Sequence, residues 1–252
     1  MAEHRVSLSD IVLSHWHADH VGGVPGILSH LNIRGDCRVW KGSLDADVNS
    51  NAARKDSEGH IRDGDLDSDI TDTLTDGMEL VTEGATLRLI HSPGHTTDHF
   101  AALLLEEGAL FSGDCVLGEG TAVFEDLGHL IASLRSFLRL EPKLIYPGHG
   151  PVVTDPMAKL SQYIEHRLQR ERQVLDALVG SKDEGSGLSV RQIVRIIYTQ
   201  TPEKLMRAAG ANVSHHLEKL VSEGRVGWAT RAAEEVEEDG KVFFLLPSRD
   251  AA

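Results

Sequence analysis

A dense cluster of histidines near the start of the chain limits its fold more strictly than any other feature. Residues 14–20 read Ser-His-Trp-His-Ala-Asp-His, which places three imidazoles and one carboxylate within six residues. The cluster follows a short apolar run at residues 11–14, interpreted as a buried strand, and precedes Gly22-Gly23, which is typical of a tight turn before a helix. The pattern predicts a metal site where a strand ends at the edge of a sheet.

This cluster can serve two ions. Side chains two positions apart on a strand point to the same side, so His15 and His17 can converge on one ion. Beyond the strand the chain must turn, which directs Asp19 and His20 toward a second position. Imidazole nitrogen and carboxylate oxygen suit zinc, with manganese or iron as alternatives.

Three further candidate ligands each follow a predicted strand. A glycine precedes each of them, and this lets the chain leave the sheet and direct a side chain at its rim. They are His95 in Ser-Pro-Gly-His-Thr, Asp114 in Ser-Gly-Asp-Cys, and His149 in Tyr-Pro-Gly-His-Gly. Four ligand motifs, each at a strand end, predict one site with seven ligands.

The first 154 residues alternate short strands with helices. A helix opened by Pro25 extends to about residue 30, and residues 126–140 show helical periodicity. Residues 42–76 are polar and Asp-rich and are interpreted as a long surface loop. Further strands are predicted at residues 37–40, 79–81, 86–90, 101–105, 109–112 and 144–146. This alternation predicts a layered α/β domain over residues 1–154.

Residues 155–180 are predicted to form a helix that connects to a second domain. Asp155-Pro156 is a typical helix start, with an acidic N-cap and proline in the first turn. A glycine-rich linker follows at residues 180–187. The polar face of the helix is expected to include Arg167, Arg170 and Arg172.

Residues 188–247 predict a small winged-helix-like domain. Its expected elements are helices starting at Ser189 and at Thr201-Pro202, a helix at 212–223, and strands at 226–229 and 241–246 joined by the acidic loop 234–239. Lys219 is the only Lys or Arg in residues 212–223, so this helix is weak as a nucleic-acid recognition helix. Winged helices also serve as packing modules, and the role of this domain stays open.

The charge is unevenly distributed between the two halves. Residues 1–150 contain 24 acidic and 11 basic side chains, whereas residues 151–231 contain 12 basic and 9 acidic ones. If the substrate is a polyanion, the C-terminal half is the better place to hold its phosphates. No run approaches the ~20 apolar residues of a membrane span. The N-terminus has no signal-peptide core, and a cytoplasmic protein without a membrane partner is expected.

These motifs resemble the metallo-β-lactamase fold superfamily. The resemblance implies an αββα sandwich, here truncated at the N-terminus because family members have further strands before the histidine motif. It also implies two zinc ions per chain, with Asp114 as the bridge. A bridging carboxylate instead of a cysteine is typical of the dinuclear hydrolases. The implied ligands are His15, His17 and His95 for the first ion, and Asp19, His20 and His149 for the second.

The resemblance also implies a mechanism. Two zinc ions held by these residues would supply a hydroxide near neutral pH that can attack a carbonyl or phosphoryl centre. Asp19 is expected to orient this nucleophile or take its proton. His99 is interpreted as support for the ligands or a proton donor, with a purely structural role as the alternative. Cys115 is expected to be a small buried residue, Trp16 a packing residue, and His215-His216 a helix surface.

Segments 84–88, 111–127 and 145–152 resemble the β-lactamase-like protein 2 group of endoribonucleases. The resemblance extends from about residue 11 through the C-terminal domain, and it implies zinc-dependent cleavage of single-stranded RNA. Members in animals are mitochondrial, which is the alternative localisation if a longer N-terminus carries a transit peptide.

The alternative activity is that of a thioesterase. Fungal polyketide-pathway enzymes of the same branch resemble the chain and release acyl chains from a carrier protein. They tend to have Asn after the bridging Asp and His in the Leu-Gly-x-Gly segment. Here those positions are Cys115 and Glu119, which favours the nuclease. The oligomeric state is not predicted.

Overall fold

The computed structural model describes residues 7–33, 36–43, 69–180, 187–230 and 240–247. Its chain divides into two compact units. The first comprises Met1–Glu125 and His129–Leu160, and the second comprises Asp126–Gly128 and Ser161–Ala252. None of the helices in the described ranges is long and apolar enough to cross a membrane.

The first unit contains a parallel three-stranded sheet. The strands β1 (Asp10–Val12), β2 (Arg38–Gly42) and β3 (Asp72–Leu74) lie in the order β1-β2-β3. Two helices, α1 (Ala18–Val21) and α2 (Val24–Leu31), make the crossover from β1 to β2. The helices cover one face of the sheet through an apolar cluster of Leu13, Val21, Val24, Leu28, Cys37 and Val39.

The prediction of a long surface loop at residues 42–76 is wrong near both of its ends. Gly42 belongs to β2, and β3 pairs with β2 from Trp40↔Asp72 to Gly42↔Leu74. Only Leu74 is buried in β3. A three-residue strand with one apolar side chain shows no periodicity that a sequence pattern can detect. Residues 44–68 of the predicted loop lie outside the described residues.

A second sheet of five strands follows, in the order β4-β5-β6-β7-β8. All neighbouring pairs are antiparallel except β7 and β8, which are parallel and joined through the helix α3 (Leu127–Leu140). Gly84 and Gly108 occupy the two tight turns with φ of +80° and +64°, where other residues are strained. The strands are β4 (Glu79–Thr82), β5 (Ala85–His91), β6 (Phe100–Leu104), β7 (Ala109–Gly113) and β8 (Leu144–Pro147).

The two sheets pack face to face. One apolar cluster joins Trp40 and Leu74 of the first sheet to Leu89 and Phe100 of the second. The opposite face of the second sheet is buried too, through Leu103, Leu110 and Ile145. Side chains alternate between the two faces of a strand, so both faces of this sheet are covered.

The second unit contains most of the long helix α4 (Pro156–Gly180), followed by the predicted winged helix. Ser189 begins α5 (Val190–Ile197) with a capping box, in which Ser189 and Gln192 bond reciprocally. The core of the unit is formed by Val174, Ala177, Leu178, Ile193, Val194, Ala209, Val213, Leu217, Leu220 and Val226. The strands β9 (Val226–Thr230) and β10 (Lys241–Leu245) form an antiparallel wing.

Three predictions for this unit are wrong. The helix expected at Thr201-Pro202 is only a single 3-10 turn (Glu203–Leu205). It leads into one long helix, α6 (Met206–Ser222), that includes the predicted third helix. Arg167 and His216, both expected on helix surfaces, are buried. The burial of a single side chain depends on tertiary packing, which amphipathic spacing alone does not reveal. Residues 181–186 of the predicted linker and the acidic loop 234–239 lie outside the described residues.

Candidate metal centre

The strand ends of the first unit bring all seven predicted ligands together. Three groups of side chains have ligand atoms within 4.8 Å of one another, and each predicted ligand belongs to at least one group. The groups are His15 with His17 and His95, His15 with His20 and Asp114, and Asp19 with His20 and His149.

The first group is a triangle of imidazole nitrogens. His17 Nδ1 lies 2.9 Å from His15 Nε2 and 3.0 Å from His95 Nε2, and the two Nε2 atoms are 3.1 Å apart. His95 Nδ1 lies 2.7 Å from the carbonyl oxygen of Val123, so this nitrogen donates its proton there and Nε2 presents a lone pair to the triangle. Three nitrogens on one tetrahedral zinc lie about 3.3 Å apart. The group fits a single cation.

The protonation of these side chains also suits a metal. Burial lowers the pKa of His15, and the neighbouring His99 and His20 lower it further. Burial and the nearby His95 likewise lower the pKa of His17. Neutral imidazole is the form that ligates metals, so His15 and His17 are ready to bind a cation at neutral pH.

The group of Asp19, His20 and His149, named the second ligand group from here on, is more open to solvent than the first. His149 Nε2 lies 3.0 Å from Asp19 Oδ2 and 3.2 Å from His20 Nε2. The side chains of His149 and Asp19 are 51% and 58% exposed, whereas that of His20 is only 13% exposed. A substrate therefore has access to the centre from the side of His149 and Asp19.

Asp114 lies between the two groups. Its Oδ2 is 3.7 Å from His95 Nε2 and 3.5 Å from His149 Nε2, and its Oδ1 is 3.5 Å from His20 Nε2. Oδ1 is buried without a good hydrogen bond among the described residues. Burial acts to raise the pKa of Asp114, but His20, His95 and His149 outweigh it and lower the pKa. A buried carboxylate oxygen facing several lone pairs is the environment expected for a cation ligand.

Gly148 permits this close arrangement. A Cβ atom at this position would lie 2.4 Å from Asp114 Oδ1 and 3.0 Å from the His20 ring. The Gly148 N–H also donates to the carbonyl oxygen of Gly113, at 2.9 Å, which joins the ends of β7 and β8. A side chain at position 148 would therefore collide with Asp114 and His20 where they now lie.

His99 supports the centre through a hydrogen bond to the backbone of Asp114. Asp114 donates its backbone N–H to His99 Nε2 at 3.1 Å, so the ring proton resides on Nδ1, 2.9 Å from Ser92 Oγ. Burial lowers the pKa of His99 to about 3, with His95 as a further cause. The ring is fully buried. This geometry favours the supporting role over that of a proton donor.

Two supporting groups escaped the sequence analysis. Ser14 Oγ lies 3.1 Å from His15 Nδ1 and 3.2 Å from His20 Nδ1, so one hydroxyl contacts both ligand groups. The carbonyl of Val123 orients His95 as described above. Ser14 directly precedes the histidine motif, which is a signal that sequence reasoning can use, whereas a backbone carbonyl leaves no such signal.

Three further residues named in the sequence analysis have structural surroundings. Cys115 is fully buried, and burial raises the pKa of its thiol to about 12, so it is no thiolate ligand. Trp16 packs edge-on against His17, with ring centroids 4.5 Å apart. His216 is buried and not on the surface.

Comparison with known proteins identifies the family. The family model described as "Metallo-beta-lactamase superfamily" matches residues 3–149. This chain belongs to the metallo-beta-lactamase superfamily. A second model, "Beta-lactamase associated winged helix domain", matches residues 189–230. The chain is therefore a metallo-beta-lactamase family hydrolase with a C-terminal winged helix, and its superfamily is metal-dependent.

Relatives in this superfamily cover most of the chain. A "Beta-lactamase-like protein 2 homolog" of Drosophila melanogaster is 43% identical over 93% of this chain and 76% of its own length. The Caenorhabditis elegans homolog of the same name is 40% identical, over 86% of this chain and 66% of its own length. A "Lactamase-like protein nscB" of Arthroderma gypseum is 35% identical, over 89% of this chain and 67% of its own length.

Solved structures show the same fold. A beta-lactamase domain protein from Burkholderia ambifaria superimposes with a TM-score of 0.69 at 19% identity, covering 96% of this chain and 75% of its own. A metallo-beta-lactamase family protein from Thermus thermophilus gives 0.64 at 22% identity, covering 97% of this chain and 83% of its own. These similarities bear on the fold alone. They agree with the face-to-face sheets of the first unit.

Proposed function

We propose that this hydrolase is a dinuclear zinc endoribonuclease that cleaves single-stranded RNA. The observation that carries the proposal is the pair of ligand groups on either side of Asp114, one buried and one open to solvent. The relatives named β-lactamase-like protein 2 homolog, at 43% and 40% identity, support the same group of enzymes.

The donor chemistry indicates which residues hold the ions. Three imidazoles, His15, His17 and His95, would hold the first, and Asp19, His20 and His149 the second, with Asp114 shared. Nitrogen donors with a few carboxylates suit zinc better than magnesium or calcium. When bound, zinc supplies Lewis acidity and lowers the pKa of water to about 7.

Asp19 and His149 are the residues that face the substrate. Both side chains are more than half exposed, and Asp19 Oδ2 lies 3.0 Å from His149 Nε2. An exposed carboxylate at this edge can accept a hydrogen bond from the attacking water and take its proton. In this proposal Asp19 both binds metal and directs the nucleophile.

Single-stranded RNA suits an open site of this kind. Unstacked nucleotides can present a phosphate to a shallow cleft without a deep base pocket. In the second unit, Arg170 Cζ lies 4.2 Å from the centroid of the Tyr198 ring. Unpaired nucleobases also stack on aromatic rings and on guanidinium groups. Lys219 of α6, by contrast, is already paired with Glu171 and Glu223.

The thioesterase remains the second candidate. The fungal lactamase-like relatives nscB and aptB are 34–36% identical to this chain. Val123, whose carbonyl oxygen accepts the His95 Nδ1 proton, is 79% exposed as a residue. An exposed apolar residue beside the first ligand group can make apolar contact with an acyl chain.

A side-by-side assay distinguishes these activities. Zinc-loaded protein is offered single-stranded RNA and an acyl thioester, and we expect RNA cleavage without thioester turnover. Asp19→Ala should reduce RNA cleavage at least about 100-fold, the lower range for a general base. Glu83→Ala, which removes an exposed acid in the β4–β5 turn, is the control. Thioester turnover without RNA cleavage contradicts the nuclease, and RNA cleavage that survives Asp19→Ala contradicts the role of Asp19.

A further inference from the structure

Three basic side chains of the second unit, Arg170, Lys204 and Arg207, have no carboxylate partner within the described part of the chain. By contrast, both cations that contact Glu171 are held in ion pairs. A cation without a protein partner can bind a phosphate and release counterions without first breaking an ion pair. Such side chains stand out in a protein whose formal net charge is −14.

Two of these cations lie where α5 leads into α6, in a segment that is poor in acids. Residues 187–217 contain four Lys or Arg and a single acid, Glu203. The helix α6 begins at Met206 and not at residue 212, so Arg207 lies in its first turn. Ala208 and Ala211, also near the start of α6, are exposed and have short side chains. A phosphate backbone can therefore approach this part of the helix closely.

Arg170 of α4 is held in place by an aromatic ring. Its Cζ lies 4.2 Å from the centroid of the Tyr198 ring, at the end of α5. The Tyr198 hydroxyl donates to Asn212 Oδ1 of α6 at 3.2 Å, so the ring is itself anchored. A guanidinium bound to a ring by its charge keeps N–H donors for a second partner, and their fork matches the oxygens of a phosphate.

The surroundings of Arg170 are positive. Arg167, one turn earlier on α4, is buried. Burial lowers the pKa of His166, and the neighbouring Arg167 and Arg170 lower it further. Burial also lowers the pKa of His216 to about 3, with the same two arginines as further causes. A region that disfavours the protonation of two histidines attracts an anion.

We propose that Arg170, Lys204 and Arg207 form a phosphate-binding surface of the winged-helix unit, and that this phosphate surface holds single-stranded RNA. The ring of Tyr198 favours RNA over an acidic protein, because unpaired bases stack on aromatic rings and on guanidinium planes. The choice of RNA as ligand rests on the proposed function. The surface gives the winged-helix unit a role in substrate binding that the ligand residues of the first unit do not supply.

The test is a triple variant, Arg170→Gln with Lys204→Gln and Arg207→Gln, which removes the three charges and keeps polar side chains. Its binding to a fluorescein-labelled oligouridine of about 12 nucleotides is measured by fluorescence anisotropy. The full chain is used, in a chelator so that the RNA stays intact, and at several salt concentrations. Thermal unfolding under the same conditions shows whether each variant is folded.

The matched control is a second triple variant, Arg135→Gln with Arg139→Gln and Lys143→Gln. It removes the same residue types from exposed positions of the first unit. Lys143 directly precedes β8, at the opposite end of that strand from His149. The two triple variants therefore change the net charge equally and differ only in where the charge is lost.

We expect the variant of the phosphate surface to bind oligouridine at least about tenfold more weakly than the unmodified protein. The control variant should bind within about threefold, because salt screens distant charges. Equal affinities of the two triple variants, or no binding by the unmodified protein, would overturn the proposal. Polyglutamate that binds the unmodified protein as tightly as oligouridine of equal charge would also overturn it, and would indicate an acidic protein as the partner.

The salt dependence of the unmodified protein gives a test that needs no variant. Each phosphate contact to a single strand contributes about 0.7 to the slope of log affinity against log salt concentration. Three contacts predict a slope with a magnitude of at least about 2. An affinity that does not change with salt would overturn the proposal.

Cleavage by the zinc-loaded full chain separates this proposal from the proposed function. The variant of the phosphate surface should raise the KM for RNA about tenfold or more and change kcat less, because its side chains bind RNA and take no part in hydrolysis. A KM that is the same in all three proteins would overturn the phosphate surface and leave the nuclease intact. Oligouridine binding that is lost in the variant, without cleavage by the unmodified protein, would support the surface and contradict the nuclease.

Discussion

At the scale of single residues, Ser14 connects the two ligand groups. Its hydroxyl oxygen lies between His15 Nδ1 and His20 Nδ1, and its two lone pairs can accept the Nδ1 proton of each ring, which leaves a lone pair on each Nε2. Both rings are then held with their Nε2 atoms directed at the centre. We expect Ser14→Ala to reduce zinc affinity about tenfold, as measured by competition with a chromogenic chelator.

The matched control for this prediction is Ser9→Ala. Ser9 is exposed and its hydroxyl donates to Asp10, away from the ligands, so its loss should leave zinc affinity unchanged. Ser14→Thr retains the hydroxyl and should bind zinc more tightly than Ser14→Ala. If the alanine variant at position 14 binds zinc as tightly as the unmodified protein, the hydroxyl has no part in orienting the rings.

At the scale of helices and strands, prediction succeeded where a pattern was long or chemically distinctive. The strands β4 to β8 and the helices α3 and α4 coincide with the predicted ones to within one or two residues, because alternation and helical spacing are visible over many positions. The seven candidate ligands lie close together because the motifs that contain them follow the ends of strands. The short strand β3 was not predicted, because only one of its three side chains is buried.

The errors arose where tertiary packing decides the outcome. Whether His215 or His216 faces the core depends on the rotation of α6, which is set by Leu217 and Leu220 in the apolar cluster. The strand β3 depends on its pairing with β2, which lies about thirty residues earlier in the sequence. Such contacts bring distant segments together, and a local pattern contains no information about them.

A buried ionic cluster joins the elements of the second unit. Glu171 of α4 contacts Lys219 of α6 at 2.5 Å and Arg225, just before β9, at 2.6 Å. Burial acts to raise the pKa of Glu171, but its hydrogen bonds to Lys219 and Arg225 lower it overall. Because the pKa of Glu171 is lower in the folded state, its ion pairs stabilise the fold at pH values above its pKa in the unfolded chain, about 4.3. This stabilisation is lost as the pH falls through the pKa of the folded state.

We therefore expect Glu171→Gln to lower the free energy of unfolding by about 2–3 kcal/mol near pH 7. This is less than the usual cost of breaking a buried pair, because Lys219 retains Glu223. The difference between the variant and the unmodified protein should shrink below about pH 4. Urea denaturation at several pH values measures this difference.

The control is Glu165→Gln, which removes an exposed acid from the same helix and should cost less than about 1 kcal/mol. Equal losses of unfolding free energy in the two variants would show that the ionic cluster stabilises the fold no more than an exposed ion pair does.

At the scale of the whole molecule, all seven ligands belong to the first unit, although they span residues 15 to 149. A ligand that binds only the folded state stabilises it by about 4 kcal/mol when present at 1,000 times its Kd. We expect zinc to raise the unfolding midpoint of the first unit and a chelator to reverse the effect, as measured by calorimetry. His149→Ala should reduce this rise, whereas His30→Ala, which removes another exposed histidine, should leave it intact. An unfolding curve that zinc does not shift would contradict the metal centre itself, whatever the substrate.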